Sequence, residues 1–267
     1  MPLSALVPRD PLLDSETDRQ FVVALARGLE ILGCFSPERP LLTNGELARM
    51  TDMACSSVSR LTHTLVKLGH LEYDTDAGTY RLGLRVLSLQ PAALAGTRMS
   101  ELVDVAALAN RVGEKVLIAV YESYGLVVVK SATADPAIPA NPVGRRYPIP
   151  RSAMGRAYVA SCSTHEQQKI LTHLALGEER QTETLRDEVD YAVNSYRNQG
   201  YCTSLGVLRP GNHSLAVTMN LPSLGRRAIL ACGGPAQRLT ERRLRDRVAP
   251  LLMQSAAEIE RASARLM

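Results

Sequence analysis

The stretch from Thr43 to Leu82 constrains this chain more than any other, because local folding signals follow one another there almost without a gap. Thr43 stands three residues before Glu46, the spacing of a capping box in which each side chain satisfies an orphan backbone N–H at a helix start. Leu47 and Met50 are the buried face of the short helix it opens, and Thr51-Asp52-Met53 reads as a turn. A longer helix follows from Cys55 to Leu68, with Gly69 just past its end as a stop. Val58, Leu61, Leu65 and Leu68 form its apolar stripe; Ser56, Ser59, Arg60, His63 and Lys67 form a polar stripe opposite, with Ser57 beside them. Leu71 to Asp74 and Thr79 to Leu82 are strand-like, and Thr75-Asp76-Ala77-Gly78 supplies the turn of a hairpin. Upstream, Val22 to Phe35 reads as a helix with Val22, Leu25, Leu29, Leu32 and Phe35 on one face, broken by Pro37 and Pro40.

Helix, short helix, turn, long helix and hairpin make a winged helix-turn-helix, in which the last helix enters the DNA major groove through its N-terminal residues. The residues expected at double-stranded DNA are Thr43, Cys55, Ser56, Ser57, Ser59, Arg60, His63 and Lys67, with Arg81 from the hairpin. Small hydroxyl side chains let a helix approach closely, and an arginine forks onto guanine. For an isolated helix the same serines would equally be an N-cap and a solvated face, and the cations ordinary surface charges. From Arg19 to Arg85 there are eight Arg and Lys against seven Asp and Glu, so the module is nearly neutral. A protein-interaction adaptor therefore stays open beside the DNA reading, since phosphate contacts usually dominate affinity for DNA.

Elsewhere the chain divides into a loose arm over residues 1–18, the winged module over 19–84, a helical connector over 85–105 and a second domain over 106–267. Leu87, Leu94 and Leu102 on the connector are candidates for pairing with a second subunit in a homodimer or homotetramer. In the second domain Val116 to Tyr121 and Leu126 to Lys130 read as paired strands, as do Ser214 to Asn220 and Arg227 to Cys232. Ser152 caps a helix to Ser161, Ser163 and Glu166 form another capping box, and a helix from Arg186 to Gln199 stops at Gly200. The last helix carries Leu244, Val248, Leu251, Ser255, Ile259, Ala262 and Leu266 on one face.

Other classes find little support. The five cysteines are odd in number, widely spaced and free of Cys-x-x-Cys, against a disulfide scaffold or a zinc site. No His-Glu-x-x-His, P-loop or Gly-x-Gly-x-x-Gly occurs, so no metal or cofactor is expected. Aromatics are 4% of the chain, too few for a platform that stacks single-stranded bases. Neither a signal peptide nor a run of about 20 apolar residues is present, so a cytoplasmic location and no membrane partner are expected. A cofactor-free small-molecule enzyme in the second domain remains the other alternative.

The stretch "ALARGLEILGCFSPERPLLTNGELARMTDMACSSVSRLTHTLVKLGHLEYDTDAGTYRLGLRVLSL", together with "YPIPRSAMGRAYVA", "YRNQGY" and "ACGGPAQRLT", resembles the IclR family of bacterial transcriptional regulators over roughly Val22 to the C-terminus. Asp52 stands where the family often has glycine, and Ala54 where it often has proline. The resemblance implies an α+β chain: a winged helix-turn-helix, a connector helix, and a GAF-like effector-binding domain with an antiparallel sheet. It implies a ligand-responsive regulator of a catabolic operon rather than an enzyme. It places a small organic acid at Ala153, Met154, Ser204, Ser214, Ala231 and Gly233. Because the family often has an acid at Ser204, a cysteine at Ser214 and serines at Ala231 and Gly233, the expected effector is a bulkier or more apolar acid, aromatic acids included. The free N–H groups at the helix start of Ser152-Ala153-Met154 suit its carboxylate. The reading in which these six residues only pack the sheet stands beside it.

Overall fold

A computed structural model of the chain describes residues 20–36, 38–89, 103–122, 125–137, 143–174, 179–221 and 226–265. It contains two compact units, residues 1–96 and 97–267. The N-terminal arm read over residues 1–18 lies outside the described residues.

The first unit runs α1 (Val23–Gly33), β1 (Leu42–Thr43), α2 (Asn44–Thr51), α3 (Cys55–Lys67), β2 (Leu71–Asp74) and β3 (Thr79–Leu82). The capping box forms as its spacing requires: the Thr43 N–H donates to Glu46 Oε2 at 2.8 Å and the Glu46 N–H donates to Thr43 Oγ1 at 3.3 Å. Asp52 ends α2 in the left-handed region at φ 53°, a conformation that aspartate visits more readily than most non-glycine residues. The hairpin has the expected bounds, and Asp74 Oδ1 accepts from the N–H groups of Asp76 and Ala77 to shape its turn. A strand that the sequence did not announce, β1, pairs with β3 and makes a three-stranded antiparallel sheet in the order β1-β3-β2.

The core of this unit is Ile31, Cys34, Leu42, Leu47, Ala48, Val58 and Leu71. This corrects two expected faces. On α1 the buried residues are Gly28 and Ile31, while Val22, Leu25 and Leu29 are about 60% exposed. The helix is apolar on more than one side, and periodicity does not say which side meets the core. On α3 Val58 is buried as expected, but its companion is Thr62, whose hydroxyl donates to the Val58 carbonyl at 2.9 Å; Leu61 and Leu65 are half-buried and Leu68 is exposed. A threonine that satisfies its own hydroxyl against the preceding turn can be buried without a distant partner.

The expected connector over 85–105 is only partly described. Arg85 lies in a short 3-10 turn, Leu84–Val86, and Leu87 is exposed, whereas Leu94 and Leu102 lie outside the described residues. Val105 does not end a helix but begins one: α4 (Val105–Val112), which the sequence reading did not separate. Asp104 caps it by accepting from the N–H groups of Ala106 and Ala107, and Gly113 closes it in the left-handed region.

The second unit continues with β4 (Lys115–Glu122), β5 (Gly125–Ala132), β6 (Arg146–Tyr147), α5 (Ala153–Ala160), α6 (Thr164–Leu174), α7 (Glu179–Gln199), β7 (Cys202–Leu205), β8 (Asn212–Leu221) and β9 (Arg226–Pro235). Then come α8 (Glu241–Arg243), a π-helical segment (Leu244–Val248) and α9 (Ala249–Ala264). The strands form one antiparallel sheet in the order β6-β5-β4-β9-β8-β7. Both faces are covered, which is why the central strands read as nearly unbroken apolar runs rather than alternating ones. Val116, Ile118 and Val120 point to one core with α4 and the C-terminal helices; Leu117 and Ala119 point to a second core with α5, α6 and α7.

The face of the last helices also needs correction. Leu244, Val248, Ser255 and Ile259 are buried, but Leu252 and Ser263 replace Leu251 and Ala262, which are half-buried, and Leu266 lies outside the described residues. A π-helical segment, which takes more residues per turn than an α-helix, opens this stretch, yet Ser255 and Ile259 beyond it stay on the buried side.

Candidate nucleic-acid interface and ligand-binding face

The start of α3 is set against α2 by one cross-link: Asn44 Nδ2 donates to the Cys55 carbonyl at 3.1 Å. With Val58 and Thr62 turned to the core, the opposite side of α3 has to face water. Cys55, Ser56, Ser57, Ser59, Arg60, His63 and Lys67 are all exposed. Among the described residues the side chains of Ser56, Ser57, Ser59, Arg60, His63 and Lys67 make no hydrogen bond or ion pair, so they are available to an outside partner. The other two candidates are engaged. The Thr43 hydroxyl is held within the capping box, donating to Glu46 Oε2 at 2.8 Å. Arg81 is paired with Glu72 at 2.7 Å across the hairpin, which also carries Asp74 and Asp76 at its turn. An arginine neutralised by its neighbour has less charge left for phosphate, so the hairpin contributes less positive potential than Arg81 alone suggests.

The face of the large sheet beneath α5 gathers the other candidates. Ser152 caps α5: its Oγ accepts from the Gly155 N–H at 3.0 Å and donates to the Pro148 carbonyl at 2.6 Å. The cap does not take the N–H groups of Ala153 and Met154, which remain the donors of the first helical turn. Gly155 is required here, because a Cβ would fall on the backbone of Ile149. Ala153, Met154 and Ala231 lie together in the second core. The strand register supplies what spacing could not. Ser204 pairs with Ser214, Ser214 with Gly233, and Gly233 with Lys115, so the four stand in one row across β7, β8, β9 and β4 on the same side of the sheet. The next row inward is Cys202, Ala216, Ala231 and Leu117. Ser204 belongs to strand β7.

Polar groups tie α5 to this sheet. Ser204 Oγ donates to the Arg151 carbonyl at 2.9 Å, Arg156 Nη1 donates to the Thr203 carbonyl at 3.1 Å, and Arg151 Nη2 donates to the Val207 carbonyl at 2.8 Å. Farther along the same core Tyr121 and Tyr158 stack with ring centroids 4.4 Å apart. There Arg227 Nη2 reaches both carboxylate oxygens of Glu166, at 2.9 and 3.0 Å, and Nη1 reaches Cys162 Sγ at 3.1 Å. The Ser163 backbone N–H and this guanidinium hold the Glu166 carboxyl down at about 2. Burial pushes the Cys34 thiol up to about 11 and those of Cys202 and Cys232 to about 12, so none of the three is a thiolate at neutral pH. Among the described residues no three His, Cys, Asp or Glu side chains gather as a metal site, and no helix is long and apolar enough to cross a membrane.

This face also holds Lys115, Arg145 and Tyr147, which the sequence alone does not single out. Tyr147 packs against the second core, and the Arg145 guanidinium lies 5.6 Å from its ring centroid. Arg145-Arg146-Tyr147 directly precedes the proline-bounded segment that leads to α5, and a paired Arg-Arg beside a tyrosine was the available local signal. Nothing local marks Lys115, which reaches the row only through β-sheet register.

Comparison with known proteins bears on both sites. Residues 24–75 match the IclR helix-turn-helix domain, and residues 97–261 match the bacterial transcriptional regulator IclR C-terminal domain. The chain is 27% identical over 257 residues to the Pca regulon regulatory protein of Pseudomonas putida, covering 91% of this chain and 84% of the relative. The crystal structure of an IclR family transcriptional regulator from Brucella abortus superposes with a TM-score of 0.81 at 33% identity, covering 92% of this chain and 94% of that one. An IclR homolog from Microbacterium hydrocarbonoxydans, complexed with 4-hydroxybenzoate, superposes with a TM-score of 0.65 at 24% identity, covering 91% of this chain and all of that one.

Proposed function

This chain belongs to the IclR family of DNA-binding transcriptional regulators, which are not enzymes, and from that premise we propose that it controls a catabolic operon in response to a small organic acid. The observation that carries the proposal is the division of α3. Val58 and Thr62 anchor it to the core, while Ser56, Ser57, Ser59, Arg60, His63 and Lys67 face outward without internal duties. In this reading the serines bring the helix close to the floor of the major groove, Arg60 forks onto a guanine, and Lys67 meets phosphate. Thr43, Cys55 and Arg81 keep secondary places: Thr43 sets the entry angle of α2, Cys55 lies at the mouth of α3, and Arg81 flanks the backbone from the hairpin.

The effector lies against α5. The N–H groups of Ala153 and Met154 receive a carboxylate, and Ser204, Ser214, Ala231 and Gly233 form the floor beneath it. That the Microbacterium protein was crystallised with 4-hydroxybenzoate supports an aromatic or other apolar-bodied acid here. The subunits pair as a homodimer or homotetramer. Exposed Val22, Leu25 and Leu29 on α1 support a second copy as the neighbour of this unit, since such a stripe is costly to leave in water. Binding of the acid favours one subunit arrangement, and operator affinity then changes reciprocally.

The test is operator binding by Arg60→Ala, measured by fluorescence anisotropy over a salt series. The variant is expected to lose roughly 1–3 kcal/mol of discrimination against the wrong base while unfolding at the same urea concentration as the parent. Unchanged sequence preference would remove Arg60 from the readout, and salt-independent binding would favour the adaptor reading instead.

A further inference from the structure

Helix α3 and the hairpin that follows it carry opposite charge. Helix α3 has Arg60 and Lys67 and no acidic residue, and both cations are exposed. The hairpin has Glu72, Asp74 and Asp76 against Arg81 alone. Register places these charges. Glu72 pairs with Arg81 and Asp74 with Thr79, alternating with the pairs Leu71–Leu82 and Tyr73–Tyr80. Leu71 and Tyr80 pack on the core side, so Glu72, Asp74 and Arg81 stand on the outer face. There Glu72 takes up the guanidinium: Arg81 Nε and Nη2 reach Glu72 Oε2 at 2.8 and 2.7 Å. Arg85, just past the hairpin, is also held, its Nη1 donating to the Leu68 carbonyl at the end of α3 at 3.3 Å. Among the described residues neither Asp74 nor Asp76 has a basic partner. The carboxylates of this hairpin therefore outnumber its cations, and the cations are spent inside the fold.

The hairpin cannot stand far from DNA that α3 reads. Only Leu68-Gly69-His70 separate α3 from β2, and the Gly83 N–H donates to the His70 carbonyl at 2.8 Å, closing the hairpin onto the end of the helix. A helix about 10–12 Å across fills a major groove about 12 Å wide, so an element fastened beside it lies toward the flanking backbone. Charges within a Debye length of about 10 Å of the phosphates are felt there. We propose that the hairpin is a brake on sequence-independent DNA binding: Glu72 occupies Arg81 and, with Asp74 and Asp76, sets a negative surface against the phosphates. Affinity then depends on what Ser56, Ser59 and Arg60 find at the base edges. Specificity is a difference of affinities, and weakening the wrong complex raises it as surely as strengthening the right one. The inference rests on the reading of α3 as the DNA-reading helix.

The experiment is fluorescence anisotropy of the full chain on a labelled duplex of scrambled sequence, over a salt series from about 50 to 200 mM. Glu72→Gln is expected to bind at least threefold more tightly than the parent at the low-salt end, with a log–log salt slope steeper by about one, the mark of one added phosphate contact. Both side chains of the pair are substantially exposed, so folding is little at risk. Glu30→Gln is the control: it makes the same change in charge and also frees an arginine, Arg27, but on α1, and it is expected to have less than half the effect. In an Arg81→Gln background, Glu72→Gln is expected to gain less than half as much, since no guanidinium is left to release. A gain no larger than the control's, or the same gain with and without Arg81, would overturn the brake and leave the DNA-binding reading intact. Failure of parent and Glu72→Gln alike to bind any duplex would overturn both.

Discussion

The exposed side of α3 and the sheet row beneath α5 are built on opposite plans. On α3 the candidate residues are exposed and idle within the fold, and the structural work is done on the other side by Val58 and Thr62. Beneath α5 the candidates are the structure: Ser204 is 2% exposed and bonded to Arg151, while Ala153, Met154 and Ala231 are core residues. A DNA-reading surface of the first kind can change its specificity with little effect on folding. A ligand-binding face of the second kind, as proposed beneath α5, could not, because candidates such as Ser204 also hold two elements together. The comparison also shows why the first unit carries exposed apolar residues on α1 while the second hides nearly all of its own. A small module has one core layer to offer, whereas a sheet covered on both faces has two.

Three substitutions break or sharpen this contrast. Gly155→Ala should have the largest effect, a loss of about 3 kcal/mol or more by urea unfolding, since the added methyl meets the Ile149 backbone, which cannot yield as a flexible side chain would. An unfolding midpoint close to the parent's would mean that the α5 approach is looser than described. Next, Ser204→Ala should cost about 1–3 kcal/mol by leaving the Arg151 carbonyl unsatisfied in a buried place, and should weaken acid binding as well. Ser59→Ala on α3 is its control: stability within about 0.5 kcal/mol of the parent, with weaker operator binding. If the two serines behave alike in both assays, the division between idle and engaged residues does not hold.

Of the substitutions expected to cost stability, Glu166→Gln has the smallest effect, about 1 kcal/mol or less, because the Glu166–Arg227 pair is partly exposed and screened. Its pH dependence is the sharper readout. The Glu166 pKa is lowered in the folded chain to about 2 from about 4.5, so its stabilisation is full above about pH 4.5 and fades as the pH falls toward 2. Parent and variant should therefore differ in urea midpoint at pH 6 and converge near pH 2. A constant gap across that window would assign the effect to packing rather than to charge.

Local chemistry was enough where a feature depends on neighbours along the chain. The capping boxes at Thr43 and Ser163, the α5 cap at Ser152, the left-handed turn at Asp52 and the hairpin from Leu71 to Leu82 are all of this kind, and so is the two-faced character of α3. Each is set by backbone donors and acceptors within a few residues, so the sequence carries the whole of the cause. Which apolar stripe of α1 is buried, the pairing of β1 with β3, the π-helical segment before α9, and the row Lys115–Gly233–Ser214–Ser204 were decided only by tertiary structure. These depend on which distant strand or helix supplies the opposing surface. Strand register has a period of two and no local marker of its partner, so Lys115 and Gly233, far apart along the chain, become cross-strand neighbours for reasons that neither segment states alone.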